Sequence, residues 1–359
     1  VSHTAAMAYR PDCLHFRGDV PCIPHKLHGV HCTGCAYYEE VRGRILIIKL
    51  GATGDVIRTT PLLHALEERY PGHEVWWVTE SPDVLPSRVH RKLTLKPEHL
   101  LVAESTTFDV VINLDKDPHA CALASRISTA ERMGFVWRDG RPAPADERAV
   151  HKFLTGLFDD VNKSNTKSYP QEILEICGME WKHQEYVMDV PTSSPFVIPD
   201  GPGGVVGLNT GCGDRWRARE WPIESWIGLI DMLHEAGQRI VLLGGPAEHE
   251  RNVEIAERTK ALYRGTYPVK QFFGVVNSCD VVVTTVTMAL HAAIGLRKHV
   301  VLLNNIFNPN EFELYGRGVL LQPERPCHCY FKQSCTHDEY QCMDLLSPVT
   351  VFDAVMSYL

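Results

Sequence analysis

The chain reads as an α/β protein made of two doubly wound halves. Three observations carry that reading. Residues 45–50 (ILIIKL) form an apolar run that feeds a glycine-bracketed turn and then a helix start. A Pro/Gly/Ser-rich stretch at 191–204 divides the chain. Beyond it, strand-then-helix alternation begins again. The length of 359 residues fits two domains of ~100–200 residues each.

Each element has its own reason. Residues 45–50 are too short to span a membrane and too apolar for an exposed strand, so they predict a buried parallel strand. Thr60-Pro61 reads as an N-cap followed by proline at the first helical position. Residues 61–70 then predict a helix with Leu62, Leu63 and Leu66 on one face, ended by Pro71-Gly72. Strands are expected over 74–79 (EVWWVT) and 109–114 (DVVINL). Residues 115–190 mix helical segments with polar and Pro-rich loops in no legible order. In the second half, strands at 205–209, 239–243, 280–284 and 298–303 alternate with helices at 222–236 and 288–294. Ile223, Trp226, Ile227, Ile230 and Leu233 recur at helical spacing. The expected organisation is an arm over 1–40, domains over 41–195 and 196–345, and a last helix within 346–359. Two such halves predict a cleft between them.

Composition is that of an ordinary globular protein, with 44% hydrophobic and 22% charged residues. A net charge of −8 argues against general nucleic-acid binding. No apolar run approaches the ~18 residues of a membrane span, and the first residues lack the pattern of a secretory signal. The expectation is a cytoplasmic protein with at most peripheral membrane contact.

Asp55 sits on the loop leaving the first strand, beside Gly51, Thr53 and Gly54. Open α/β sheets bind ligands at the carboxyl ends of their strands, so this carboxylate is either a turn residue or a functional one. In the second half, residues 209–222 (NTGCGDRWRAREWP) leave a strand with two glycines and Arg215, Arg217 and Arg219. Glycines let a backbone approach an anion, and arginines match phosphate oxygens; a solvated loop is the alternative. Residues 284–291 (TTVTMALH) join a strand to a helix whose first amides could hold a diphosphate. His291 there is a ligand contact or a packed core residue. The chain has no GxxxxGK[ST] phosphate loop.

Taken in order, GATGDVIRTTP, INLDKDP (112–118), TGCGDRWRAREWP, VLLGGPAEHE (241–250), CDVVVTTVTMALHAAIG (279–295), EFELYGRG (311–318) and the Cys-rich tail resemble glycosyltransferase family 9, the heptosyltransferase-like family. The resemblance runs from about residue 44 to the end. It implies a GT-B fold of two Rossmann-like domains, with the last helix crossing back to the first domain. It implies transfer of a heptose or similar sugar from a nucleotide diphosphate, an ADP-sugar being favoured, with inversion at the anomeric carbon. The acceptor, a glycan, protein or small molecule, would come to the first domain. Asp55 matches the family's base, flanked on the acceptor side by Gly51, Thr53 and Gly54. Asn209, Thr210, Arg215, Arg219, Gly244, Thr287, Met288, Ala289 and His291 match the donor side. The chain departs from the family at Val286, where an Asp usually helps hold the donor. The alternative reading is therefore a noncatalytic sugar-nucleotide or partner-binding protein on the same fold.

Twelve cysteines are many for a chain of this kind. Cys13, Cys22, Cys32 and Cys35 cluster at the start, and Cys327, Cys329, Cys335 and Cys342 near the end. Clustered thiols in a cytosolic chain point to metal rather than disulfides. The first set, with its C-x2-C element, is the expected structural zinc site, and the second set is a further candidate. Iron or an Fe–S cluster stays open.

Overall fold

The computed structural model describes residues 9–213, 216–325, 327, 329–336 and 339–359. Two sheets form separate layers. The first holds β1 (Gly43–Ile48), β2 (His73–Val78), β3 (Arg91–Leu93), β4 (Phe108–Asn113), β5 (Thr129–Arg138) and β6 (Arg141–Pro144), in the order β3-β2-β1-β4-β5-β6. All its pairings are parallel except β5 with β6. The second holds β7 (Val205–Asn209), β8 (Arg239–Leu243), β9 (Val281–Thr285), β10 (His299–Leu303) and β11 (Gly318–Leu321), in the order β11-β10-β9-β7-β8, all parallel.

The sequence pattern explains the layering. Ile45 to Ile48 are fully buried because helices cover both faces of the sheet. In the second half, the Ile223–Glu235 helix buries Trp226, Leu229, Ile230 and Leu233 against β7, β8 and β9. Trp226 meets Trp221 edge to face, ring centroids 4.8 Å apart.

The expected strands fall within one or two residues of their observed places. Residues 115–190, which had no legible order, contain β5 and β6. Their hairpin turns at Asp139 and Gly140, both with positive φ (51° and 78°), as the commonest two-residue hairpin turn requires.

Two expectations need correction. The last helix, Pro348–Met356, packs against the Ile223–Glu235 helix and β10 rather than the first domain. Its Val351 and Val355 lie in the second core, and that apolar face determines where it docks. The irregular segment between the halves is also longer than 191–204. It runs from about residue 180 to β7, and it carries the buried Tyr186 along the seam between the domains. Among the described residues, no helix is long and apolar enough to cross a membrane.

Trp226→Ala should cost about 3–5 kcal/mol of stability. Urea unfolding followed by circular dichroism checks this; a loss below about 1 kcal/mol would mean that the second core does not close on this side chain.

Candidate active site

Both sheets bring their functional loops to the strand position where chain order reverses. In the first sheet that position lies between β1 and β4, and in the second between β7 and β9. Loops leaving adjacent strands diverge there and open a crevice. The two crevices face each other across a cleft of about 1020 Å³.

On the first side, Lys49 leaves the end of β1 and Asp115 the end of β4. Lys49 Nζ donates to Gly51 O at 2.6 Å and Asp115 Oδ2 at 3.1 Å. Asp55 lies in the first turn of the short helix Thr53–Ile57. Arg58 Nη2 is 2.8 Å from Asp55 Oδ1, and Lys49 Nζ is 3.9 Å from Oδ2. Burial alone would push the Asp55 carboxyl up. Arg58, then Lys49, with a lesser contribution from the Ala52 amide, outweigh it, so its pKa lies below the usual aspartate value. Asp55 is therefore ionised at neutral pH, with its side chain 34% exposed to the cleft while Arg58 is 13% exposed. Arg58 stacks over Tyr169, 3.6 Å from the ring centroid, and reaches Glu311 of the second domain at 3.4 Å.

Lys116 also lines this side. Its ammonium lies 6.0 Å from the centroids of both Phe135 and Phe153, and burial, with Lys152 nearby, pulls its pKa down to about 8.

On the second side, Asn209 at the end of β7 donates to Thr284 Oγ1 (3.1 Å) and Thr287 Oγ1 (3.2 Å), tying the loops after β7 and β9 together. Thr287 caps the Met288–Gly295 helix by accepting from Ala289 N at 3.2 Å. Arg219 is buried, and its guanidinium donates to the carbonyls of Trp216 (3.3 Å), Cys212 (2.5 Å) and Val286. Burial pushes its pKa below the usual arginine value, and among the described residues its hydrogen-bond partners are carbonyls. Glu248 accepts from Gly245 N (2.9 Å) and Gly213 N (3.2 Å), which links the loop after β8 to the loop after β7. Trp216, Phe307 and Phe331 form an interlocked aromatic wall, with centroids 5.1 to 6.2 Å apart.

The halves meet at Gly54. A Cβ there would stand 2.7 Å from His291 Cδ2, so only glycine allows this approach without displacing the ring. His291 is buried, and Tyr186 Oη lies 3.4 Å from its Nδ1. Desolvation, reinforced by Arg58, pushes its pKa down to about 3, so the ring is neutral. It is thus a packed residue that also touches the cleft.

Of the residues singled out in the sequence, Thr53, Gly54, Asp55, Asn209, Arg219, Gly244, Thr287, Met288, Ala289 and His291 line the cleft together. Gly51 stands behind it as the acceptor for Lys49. Thr210 stands behind it on Asn252, at 2.5 Å. Arg215 lies outside the described residues. Sequence reasoning missed Lys49, Arg58, Glu248, Glu311 and the aromatic wall. Arg58 had a signal, since it lies three residues after Asp55 on a helical turn, where opposite charges meet.

The metal expectation is corrected in its order of preference. Among the described residues, the one group of potential ligands gathered within 4.8 Å is Cys327, Cys329 and Cys342, not the N-terminal set. Cys335 Sγ adds to it, 3.7 Å from Cys329 Sγ. The four N-terminal thiols instead line a cavity of about 340 Å³. The physical reason lies in the backing each set has. The C-terminal thiols pack on a small core of Ala218 and Ile306, which holds them together.

Two facing α/β domains with strand-end crevices across a cleft define the GT-B class. The glycosyltransferase family 9 (heptosyltransferase) profile matches residues 103–341. The chain belongs to that family and is a glycosyltransferase. It is 25% identical over 240 residues to lipopolysaccharide heptosyltransferase 1 of Escherichia coli K12, covering 60% of this chain and 72% of that protein. Its fold matches E. coli heptosyltransferase WaaC with ADP-2-deoxy-2-fluoro heptose at a TM-score of 0.60 and 16% identity, covering 88% of this chain and 100% of that one. It also matches the iron-containing dodecameric glycosyltransferase TibC from enterotoxigenic E. coli H10407, with TM-score 0.54 and 15% identity, covering 89% of this chain and 76% of that one.

The buried neutral His291 must charge in the unfolded chain as pH falls. Its folded pKa is lowered, so its contribution is fully present above about 6.5 and is lost as pH falls towards 3. In His291→Leu that part of the acid slope should be missing. Urea unfolding at several pH values checks this, and identical slopes would contradict it.

Proposed function

We propose that the enzyme moves a heptose or related sugar from an ADP-sugar to an acceptor hydroxyl, with inversion and with Asp55 as general base. The observation that carries this reading is the ionised carboxylate facing a buried arginine across one cleft. In this account Arg219 and the N-terminus of the Met288–Gly295 helix hold the diphosphate, and the aromatic wall packs against the base. The acceptor oxygen attacks the anomeric carbon while its proton passes to Asp55 Oδ2, the oxygen that Arg58 does not bind closely. The bond from the anomeric carbon to the diphosphate oxygen breaks, and its electron pair leaves with the diphosphate. Arg58 and Lys49 keep Asp55 ionised before attack. Their positive field weakens it as a base, so the proton moves late in the attack, as the new bond to the anomeric carbon makes the acceptor oxygen more acidic. WaaC's structure with a fluorinated ADP-heptose supports ADP as the nucleotide.

Val286 contributes an apolar side chain and its carbonyl, and the carbonyl is engaged by Arg219. Donor recognition then depends on the diphosphate and the wall rather than on a carboxylate at this position.

The C-terminal thiols suit a thiolate-bound ion, and the iron in TibC favours iron over zinc there. Cys327, Cys329, Cys335 and Cys342 would hold it, and its chemistry would be structural. These thiols back the aromatic wall: Phe331 N donates to Ile306 O at 3.2 Å, and Ala218 N to Gln333 O at 3.0 Å. The ion would thus stabilise the donor side without touching the reacting atoms.

Asp55→Asn should lower kcat for sugar transfer by about 10²–10⁴-fold, with donor affinity changed only a few-fold. ADP release from ADP-heptose, with an acceptor found by screening, and calorimetric donor binding check the two halves. Full turnover in Asp55→Asn would remove Asp55 from the mechanism.

A further inference from the structure

The N-terminal arm has a defined path without a core. Of residues 9–42, only Pro24 is buried, while Val20, Ile23 and Leu27 stand exposed. Its internal contacts are backbone bonds, such as Leu14 N to Glu39 O (2.8 Å) and Val41 N to Asp12 O (2.7 Å), and a surface cluster of Arg10, Asp12 and Tyr38. Exposed ion pairs of this kind contribute little. Below about 40 residues, an element without a core of its own needs a disulfide, a metal or a partner.

At the arm's centre lies the cavity of about 340 Å³ lined by Cys13, Cys22, Cys32 and Cys35. All four are free thiols. They come from three separate stretches: the bridge between Cys13 and Glu40, the N-cap of the Ile23–His28 helix, and a tight turn from Cys32 to Cys35. Gly34 supplies the left-handed residue of that turn, with φ +71°. Three of the imidazoles nearby have other partners, and the fourth, His31, meets the His25 ring edge to face at 5.2 Å. His25 Nδ1 is 2.8 Å from Val30 O, His28 stacks on Tyr37 at 4.7 Å, and His15 Nε2 is 3.5 Å from Glu39.

We propose that the arm is a metal-binding module in which Cys13, Cys22, Cys32 and Cys35 hold one zinc-type ion, separate from the C-terminal thiol cluster. Drawn onto one ion, the four thiolates from three stretches would make a closed tetrahedral set, with the ion ~2.3 Å from each sulfur. No three of these sulfurs stand within 4.8 Å of one another, and the cavity between them has the space that an ion and its closing ligands require. Binding releases the thiol protons and supplies the arm's folding energy. The arm joins the first sheet through few contacts, among them Arg42 N to Gly72 O at 2.9 Å, so the two-domain body does not depend on this ion.

The test uses the full chain. Metal content and the thiolate-to-cobalt bands of the Co²⁺-loaded protein are compared among the unaltered chain, Cys13→Ser/Cys32→Ser, and Cys327→Ser/Cys342→Ser. The first variant should lose one ion that the second retains. As a check that does not depend on variant folding, the unaltered chain is treated with a chelator and then trypsin. Cleavage at the exposed Arg17 and Lys26 should become fast and should slow again on adding Zn²⁺. Unchanged metal content in Cys13→Ser/Cys32→Ser overturns the proposal, as does an arm equally resistant to trypsin with and without chelator. Neither result depends on whether the cleft transfers sugar.

Discussion

The approach of Gly54 to His291 is the constraint on which the rest of the site depends. It seats the first turn of the Thr53–Ile57 helix directly on the helix that begins at Met288. Asp55, one residue on, is thereby held facing the second domain, and Arg58 is placed to bind both Asp55 and Glu311. Further bonds close the same seam. Asn308 Nδ2 donates to the carbonyls of Asn162 (2.6 Å) and Asn165 (2.7 Å), and Arg317 pairs with Glu185 at 2.9 Å. Most of these contacts are polar and partly buried. They add directional bonds to a seam that one apolar cluster also crosses, with Val56 and Ile57 of the first domain and Ala289 and Leu290 of the second in the same buried group.

Charge is distributed unequally across the cleft. The first domain pairs Lys49 with Asp115 and Asp55, and Lys152 with Glu172, while Lys116 lies beside the Phe135 and Phe153 rings. The second domain buries Arg219 against carbonyls. A buried guanidinium whose contacts among the described residues are carbonyls and the Phe307 ring favours an arriving anion, and a carboxylate already flanked by cations favours an arriving hydroxyl. The proposed division between donor and acceptor sides follows from that difference.

Much of this was legible in the sequence because parallel strands buried on both faces leave uninterrupted apolar runs. β1, β7 and β8 were readable for that reason, and with them the loops bearing Asp55, Asn209 and Gly244. β5 and β6 were not, since β5 carries the half-buried Glu131 and the exposed Arg138, and only the Asp139-Gly140 turn signals the hairpin. The aromatic wall escaped because Trp216, Phe307 and Phe331 come from distant segments joined only by packing. The course of the last helix escaped as well. Its apolar face was readable, but the choice between two cores depends on tertiary fit. Thiol spacing marked both cysteine sets, yet only packing distinguishes the one already gathered from the one around a cavity.

The account's central claim is that the second domain holds a nucleotide diphosphate at Arg219. The most direct measurement is a thermal-shift comparison of the folded, metal-replete chain with ADP-, UDP-, GDP- and dTDP-sugars, run beside Arg219→Ala. A ligand that binds only the native state raises its apparent stability. The account predicts a rise with the ADP class that is lost in Arg219→Ala. No rise with any nucleotide, or a rise unaffected by the substitution, would contradict it.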